Sequence, residues 1–140
     1  MPQLKTYKLF ISHAWQYDYE YFKVVEFLDS VANFKWNNFS VPEHNPKIDP
    51  FSKSGQRALI KDLENQVRQV NCFLAIGRMY LPFRYWIQTE LDIAFYFNKP
   101  IITIVPRNSF KIPKVLQDLS WDFAGWNRFS IVDAIRKHSI

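Results

Sequence analysis

The sequence predicts a three-layer α/β sandwich around a five-stranded parallel sheet. Runs that are apolar on both faces, such as Cys72 to Gly77 and Ile101 to Val105, recur along the chain. Between them lie segments whose apolar residues repeat at helical spacing. Strands covered on both faces are typical of parallel sheets, and alternation with helices predicts right-handed crossovers. We therefore expect a flavodoxin-like domain over residues 1–140 with strand order 2-1-3-4-5.

The first half of the chain supplies two strands and one helix before a long loop. The first strand is Lys8 to Ser12, and Asp18 is placed to cap the helix after it. The inward side of this helix is formed by Tyr21, Val24, Val25 and Leu28. Asn38 to Val41 is interpreted as a short second strand. The segment from Pro42 to Gly55 holds three prolines and predicts a long loop.

The second half completes the alternation of helices and strands. Ser52 or Ser54 is a candidate cap for a helix that turns Ile60, Leu63 and Val67 inward. Cys72 to Gly77 is the third strand. A helix over residues 83–95 follows, with Ile87, Leu91, Ala94 and Phe95 as its core stripe. Ile101 to Val105 is the fourth strand, residues 120–126 are an edge strand, and residues 129–138 form a last helix.

Composition excludes several classes of protein. The chain has 140 residues, 48% of them hydrophobic, with 13 Phe, 7 Tyr and 5 Trp, which is a globular composition. Its apolar runs are too short to span a bilayer, and the N-terminus lacks a secretory signal. A single cysteine fits a reducing compartment, so we expect a cytoplasmic protein. The net charge of +5 is spread without a run of four basic residues, and no motif supports nucleic-acid binding.

The predicted sheet directs attention to two segments. In open α/β sheets ligands bind beyond the carboxyl ends of the strands, where the strand order reverses. Here that point falls between strands one and three, which selects residues 12–15 (SHAW) and residues 77–86. Glu90 lies one turn after Trp86, on a flank of its helix beside the core stripe. We expect its carboxylate to be partly desolvated and near this edge.

The candidate side chains each allow a functional and a structural interpretation. Glu90 can bind sugar hydroxyls and stabilise a cationic transition state, or it can pair with Arg78 or Arg84 as a boundary residue. His13 is either a pocket residue or an ordinary loop histidine. Trp15 either stacks on a base or covers the end of the sheet.

Other chemistries find no support in the residues. The sequence has no G-x-G-x-x-G or P-loop and only three glycines, so a conventional dinucleotide or nucleotide cradle is not expected. His13, His44, His138 and Cys72 lack metal-ligand spacing, and we expect no metal or other cofactor. Cys72 sits within an apolar strand and is interpreted as a core thiol.

Four stretches in order along the chain resemble TIR domains. They are KLFISHAW at 8–15, FSVPEHNP at 39–46, RYWIQTELDIAF at 84–95 and NKPIITIV at 98–105. More narrowly, the chain resembles the compact TIR-like family that includes ThsB, the sensor of the bacterial Thoeris anti-phage system. The W-x-x-x-E step at Trp86 and Glu90 is short, but its place after strand three and before the K-P-I start of strand four makes it fairly specific.

The resemblance implies an NAD+ hydrolase or cyclase with NAD+ as substrate. It assigns the catalytic role to Glu90 and places Ser12, His13 and Trp15 along the substrate pocket. Trp86 is then expected to support or flank that pocket. It also implies self-assembly on activation, an unidentified phage trigger, and a diffusible ADP-ribose signal read by a separate effector. The alternative is a non-catalytic TIR module that assembles with other proteins through the loop at 42–55.

Overall fold

The computed structural model describes residues 5–12, 19–40, 53–77, 84–106 and 111–140, and their side chains except at 53–56 and 84–85. Strands and helices alternate over these residues. The elements are β1 (Thr6–Ile11), α1 (Tyr19–Ser30), β2 (Lys35–Asn38), α2 (Lys53–Gln69), β3 (Cys72–Ile76), α3 (Arg84–Tyr96), β4 (Ile101–Val105), α4 (Lys114–Leu119), β5 (Asp122–Gly125) and α5 (Arg128–His138).

The strands form one parallel sheet with the order β2-β1-β3-β4-β5. The predicted fold class and strand order are therefore confirmed. The register pairs Phe10 of β1 with Phe73 of β3. Their rings stack with centroids 5.1 Å apart, so the two central strands are joined by packing as well as by hydrogen bonds.

Helices cover both faces of the sheet in pairs. α1 packs against α5, and α2 packs against α3. All of β3, most of β4 and the second half of β1 are buried as a result, which explains their continuous apolar sequences. None of the helices in the described ranges is long and apolar enough to cross a membrane.

The second strand lies earlier than predicted. It spans Lys35–Asn38 rather than Asn38 to Val41, and Val41 falls outside the described residues. Because β2 is an edge strand, most of its side chains are exposed and its sequence, KWNN, has no apolar run to mark it. The more apolar Phe39 follows the strand, although its N–H still donates to the oxygen of Leu9 at 2.8 Å.

The predicted loop after the second strand also ends too late. α2 begins at Lys53, so Ser54 and Gly55 belong to the helix, and Ser54 is not its cap. Residues 41–52, including Ser52 and most of the loop assigned to partner binding, lie outside the described residues. The fifth strand and last helix lie where the sequence predicts them.

Candidate active site

Ser12 lies at the carboxyl edge of the sheet, at the point where the strand order reverses. It is the first residue after β1, and its backbone N–H donates to the oxygen of Leu74 in β3 at 2.8 Å. Its side chain is fully buried, at 0% exposure. The sequence prediction that this residue reaches the edge between strands one and three is confirmed.

Glu90 meets Ser12 at the same edge from the third helix. The Ser12 hydroxyl donates to Oε1 of Glu90 at 2.6 Å, although the two residues are 78 positions apart in sequence. This separation is within the range of hydroxyl–carboxylate bonds in which the acceptor is ionised. Glu90 is only 1% exposed, so its carboxylate lies in a low-dielectric environment where electrostatic interactions are stronger than in water.

The depth of Glu90 follows from the buried arc of α3, which differs from the predicted core stripe. Ile87, Leu91 and Ala94 are buried as expected, but Phe95 is 65% exposed and does not belong to the core. At about 100° per residue, Phe95 lies roughly 80° from Ile87, on the side away from Glu90. Glu90 lies roughly 40° from Ala94, within the inward arc rather than on its flank. The expected partial desolvation was therefore an underestimate.

Trp86 stands one turn before Glu90 on the same helix. Its side chain is half-buried and packs against the hydrophobic core. In an α-helix, residues four positions apart share a face, so Trp86 and Glu90 project from the same face of α3. Contact between Trp86 and a substrate stays a prediction.

A second serine near the site was not singled out in the sequence. Ser40, at 8% exposure, accepts the backbone N–H of Ile11 on its hydroxyl oxygen at 2.9 Å. Its own N–H donates to Oδ1 of Asn38 at 2.9 Å, and the Asn38 side chain donates to the Tyr21 hydroxyl at 2.8 Å. The signal that could have revealed it is a small hydroxyl residue between two apolar ones, Phe39 and Val41.

Several predicted site residues lie outside the described part of the chain. These are His13 and Trp15 in the segment that follows Ser12, and Arg78 in the segment that follows Gly77. The side chain of Arg84 is also outside it. Their roles, including the alternative in which an arginine pairs with Glu90, stay predictions.

A groove elsewhere on the surface is separate from this site. Its volume is about 410 Å³, and it lies between α2 and α3. Its lining residues are Glu64, Arg68, Asp92, Ile93, Tyr96 and Phe97. Since neither Ser12 nor Glu90 is among them, the groove does not belong to the cluster at the carboxyl edge.

The cysteine and the acidic residues indicate no other reactive centre among the described residues. Burial raises the pKa of the Cys72 thiol to about 12, so the thiol stays protonated near neutral pH and is a poor nucleophile. This agrees with its interpretation as a core thiol. In the described ranges no group of three or more His, Cys, Asp or Glu side chains is arranged to hold a metal ion.

Fold and site together define a flavodoxin-like α/β domain with a buried carboxylate at its strand-order switch point. The sequence profile of the family described as "Thoeris protein ThsB, TIR-like domain" matches residues 10–111. The chain belongs to this family, which confirms the resemblance seen in the sequence.

Comparison with solved structures gives a more distant likeness. The CMP N-glycosidase BcmB of Clostridium botulinum matches with a TM-score of 0.54 and 13% sequence identity. The match covers 92% of this chain and 98% of BcmB. At this identity it shows a shared fold. A search of curated proteins found no match.

Proposed function

We propose that this domain cleaves the N-glycosidic bond between nicotinamide and ribose in NAD+. The observation that carries the proposal is the buried carboxylate of Glu90, held by Ser12 where β1 and β3 end. A desolvated carboxylate at the ligand-binding edge of an open α/β sheet suits a reaction that develops positive charge.

The reaction requires few protein groups besides this carboxylate. Nicotinamide in NAD+ is a cationic pyridinium, so it takes the electron pair of the C1′–N bond and leaves as a neutral molecule without a general acid. The ribose then resembles an oxocarbenium ion, whose positive charge the Glu90 carboxylate offsets.

The group that captures the ribosyl cation determines the product. Water attacks C1′, loses a proton and yields ADP-ribose. If a nitrogen or hydroxyl of the same molecule attacks C1′ instead and loses its proton, the product is a cyclic ADP-ribose, which contains one water less than ADP-ribose. We propose that the product is a cyclic or conjugated ADP-ribose that acts as a diffusible signal on a separate effector.

Two comparisons support this class of reaction. The chain belongs to the ThsB TIR-like family, whose description names the Thoeris system. BcmB, which shares the fold, is by name an N-glycosidase that acts on CMP, so one protein of this architecture acts on an N-glycosidic bond. We further propose that NAD+ is cleaved in the cytoplasm, after a phage trigger, by self-assembled copies of the chain.

The alternative function is a non-catalytic TIR module that binds other proteins. The observation in its favour is that the bond between Ser12 and Glu90 also fastens α3 to the end of β1, which is a structural task. Under this alternative, Glu90 would matter for stability and not for nucleotide chemistry.

Mass spectrometry of nucleotides in phage-infected cells separates the two functions. Cells that express the wild-type protein should lose NAD+ after infection and accumulate ADP-ribose or a cyclic or conjugated ADP-ribose. Cells that express Glu90→Gln should keep their NAD+. The matched control is Glu26→Gln, because Glu26 is exposed on α1 and should behave as wild type. Wild-type cells that resist phage with an unchanged nucleotide pool would establish the non-catalytic alternative.

A further inference from the structure

We propose that two buried serines, Ser12 and Ser40, are positioning residues that fix the Glu90 carboxylate, an inference that rests on the proposed function. Ser12 acts on Glu90 directly, and Ser40 acts one step further away through the backbone of β1. In this proposal the Ser12 hydroxyl binds the Glu90 carboxylate rather than the substrate. Ser40, which the sequence analysis does not select as a site residue, holds the end of β1.

The geometry of Ser12 directs its hydroxyl hydrogen to Glu90. Its side chain is 0% exposed, and its hydroxyl hydrogen is directed to Oε1 of Glu90 at 2.6 Å. A hydroxyl has one hydrogen to donate, and here it is given to the carboxylate. Removing that donor would leave Oε1 without this bond.

The end of β1 is held from both sides. Backbone N–H groups of successive residues in a strand point to opposite neighbours. Accordingly, Ser12 donates to Leu74 of β3 at 2.8 Å, whereas Ile11 donates toward the β2 side. On that side β2 has already ended at Asn38, and the acceptor is the hydroxyl of Ser40 rather than a strand carbonyl.

Ser40 is itself anchored to the first helix. Its N–H is bound to Asn38, and the Asn38 side chain is bound to the hydroxyl of Tyr21, a buried residue of α1. A chain of hydrogen bonds therefore runs from α1 through Ser40 and β1 to Ser12. A shift at Ser40 moves the peptide that precedes Ser12. The Ser12 hydroxyl, which donates to Glu90, moves with it.

Such positioning matters for a carboxylate that must offset charge at a fixed point. Misplacement by about 1 Å can cost about 100-fold in rate, because the catalytic group then no longer meets the reacting atom. A positioning defect lowers kcat while substrate affinity is kept, since the ligand-binding surface is intact. A lost substrate contact would instead raise KM.

The test measures steady-state nicotinamide release from NAD+ by wild type, Ser12→Ala, Ser40→Ala and Ser40→Thr, with circular dichroism to confirm folding. Ser12→Ala should lower kcat by about 10- to 100-fold with KM within about twofold of wild type. Ser40→Ala should lower kcat by a smaller factor, and Ser40→Thr should restore it because the hydroxyl is kept. Ser30→Ala is the control, since the Ser30 hydroxyl donates to the oxygen of Phe27 at the exposed end of its own helix.

The outcomes separate this inference from the proposed function. If Glu90→Gln loses activity but Ser12→Ala keeps a full kcat, or only raises KM, the positioning role is wrong. If wild type releases no nicotinamide, with or without a crowding agent, and infected cells keep their NAD+, the proposed function fails. The ¹³Cδ chemical shift of Glu90 then tests the positioning role on its own. Ser12→Ala and Ser40→Ala should both move that resonance and Ser30→Ala should not. An unchanged resonance in both variants would overturn the inference whatever the activity.

Discussion

The bond between Ser12 and Glu90 should be measurable as a coupling free energy. The perturbations are Ser12→Ala, Glu90→Ala and the double variant. Both partners are buried, at 0% and 1% exposure, and the oxygens are 2.6 Å apart. A hydrogen bond to a charged group contributes about 1.5–3 kcal/mol. We expect a coupling of this size, well above the roughly 0.3–0.5 kcal/mol within which independent sites add.

Urea unfolding of the four proteins gives the coupling, because the cavity left by Glu90→Ala cancels in the cycle. By itself, Ser12→Ala should lower the melting temperature by roughly 5–10 °C, given about 2.1 cal/mol/K of unfolding entropy per residue. The control is the same cycle on Lys23 and Glu26, an exposed pair 3.4 Å apart within α1. That pair should couple by only about 0.3–0.5 kcal/mol. A Ser12–Glu90 coupling no larger than this would refute the geometry on which the site is built.

Three further predictions concern the thiol, acid stability and the core. Cys72, with its pKa raised to about 12 by burial, should resist thiol reagents at pH 8 until the protein unfolds; rapid labelling of the native protein would contradict this. Hydrogen bonds to the backbone N–H of Phe123 and to the His138 side chain lower the pKa of Asp122 from its usual value of 3.8. Asp122 therefore adds stability that is present above pH 3.8 and lost as pH falls through the lower folded value, so Asp122→Asn should flatten acid unfolding curves. Leu91→Ala should cost about 2–5 kcal/mol in urea unfolding, whereas Phe95→Ala should stay within about 0.5 kcal/mol; equal costs would contradict the observed face of α3.

The central strands could be predicted from sequence because burial on both faces leaves a continuous apolar run. β3 and β4 carry that pattern, and their ends were placed to within a residue. β2 could not be placed in the same way, since an edge strand with exposed side chains resembles a polar loop. Its position depends on pairing with β1, from Thr6 opposite Lys35 onward, which no local pattern encodes.

The site was predictable in its location but not in its depth. The topological rule brings Ser12 and the third helix to one edge of the sheet, and the structure confirms this. The predicted core stripe of α3 is wrong because it includes the apolar Phe95 and leaves out Glu90, which is charged. In the fold the reverse holds: Glu90 is 1% exposed and Phe95 is 65% exposed. Hydrophobicity alone cannot identify a carboxylate that is buried with a hydrogen-bond partner.

The most direct measurement of the proposed chemistry is nicotinamide release from NAD+ by purified protein, with and without a crowding agent that promotes self-association. Wild type and Glu26→Gln should release nicotinamide at equal rates, and Glu90→Gln should lose most of the activity while its circular dichroism spectrum is unchanged. If folded Glu90→Gln cleaves NAD+ as fast as wild type, the buried carboxylate is not the catalytic group.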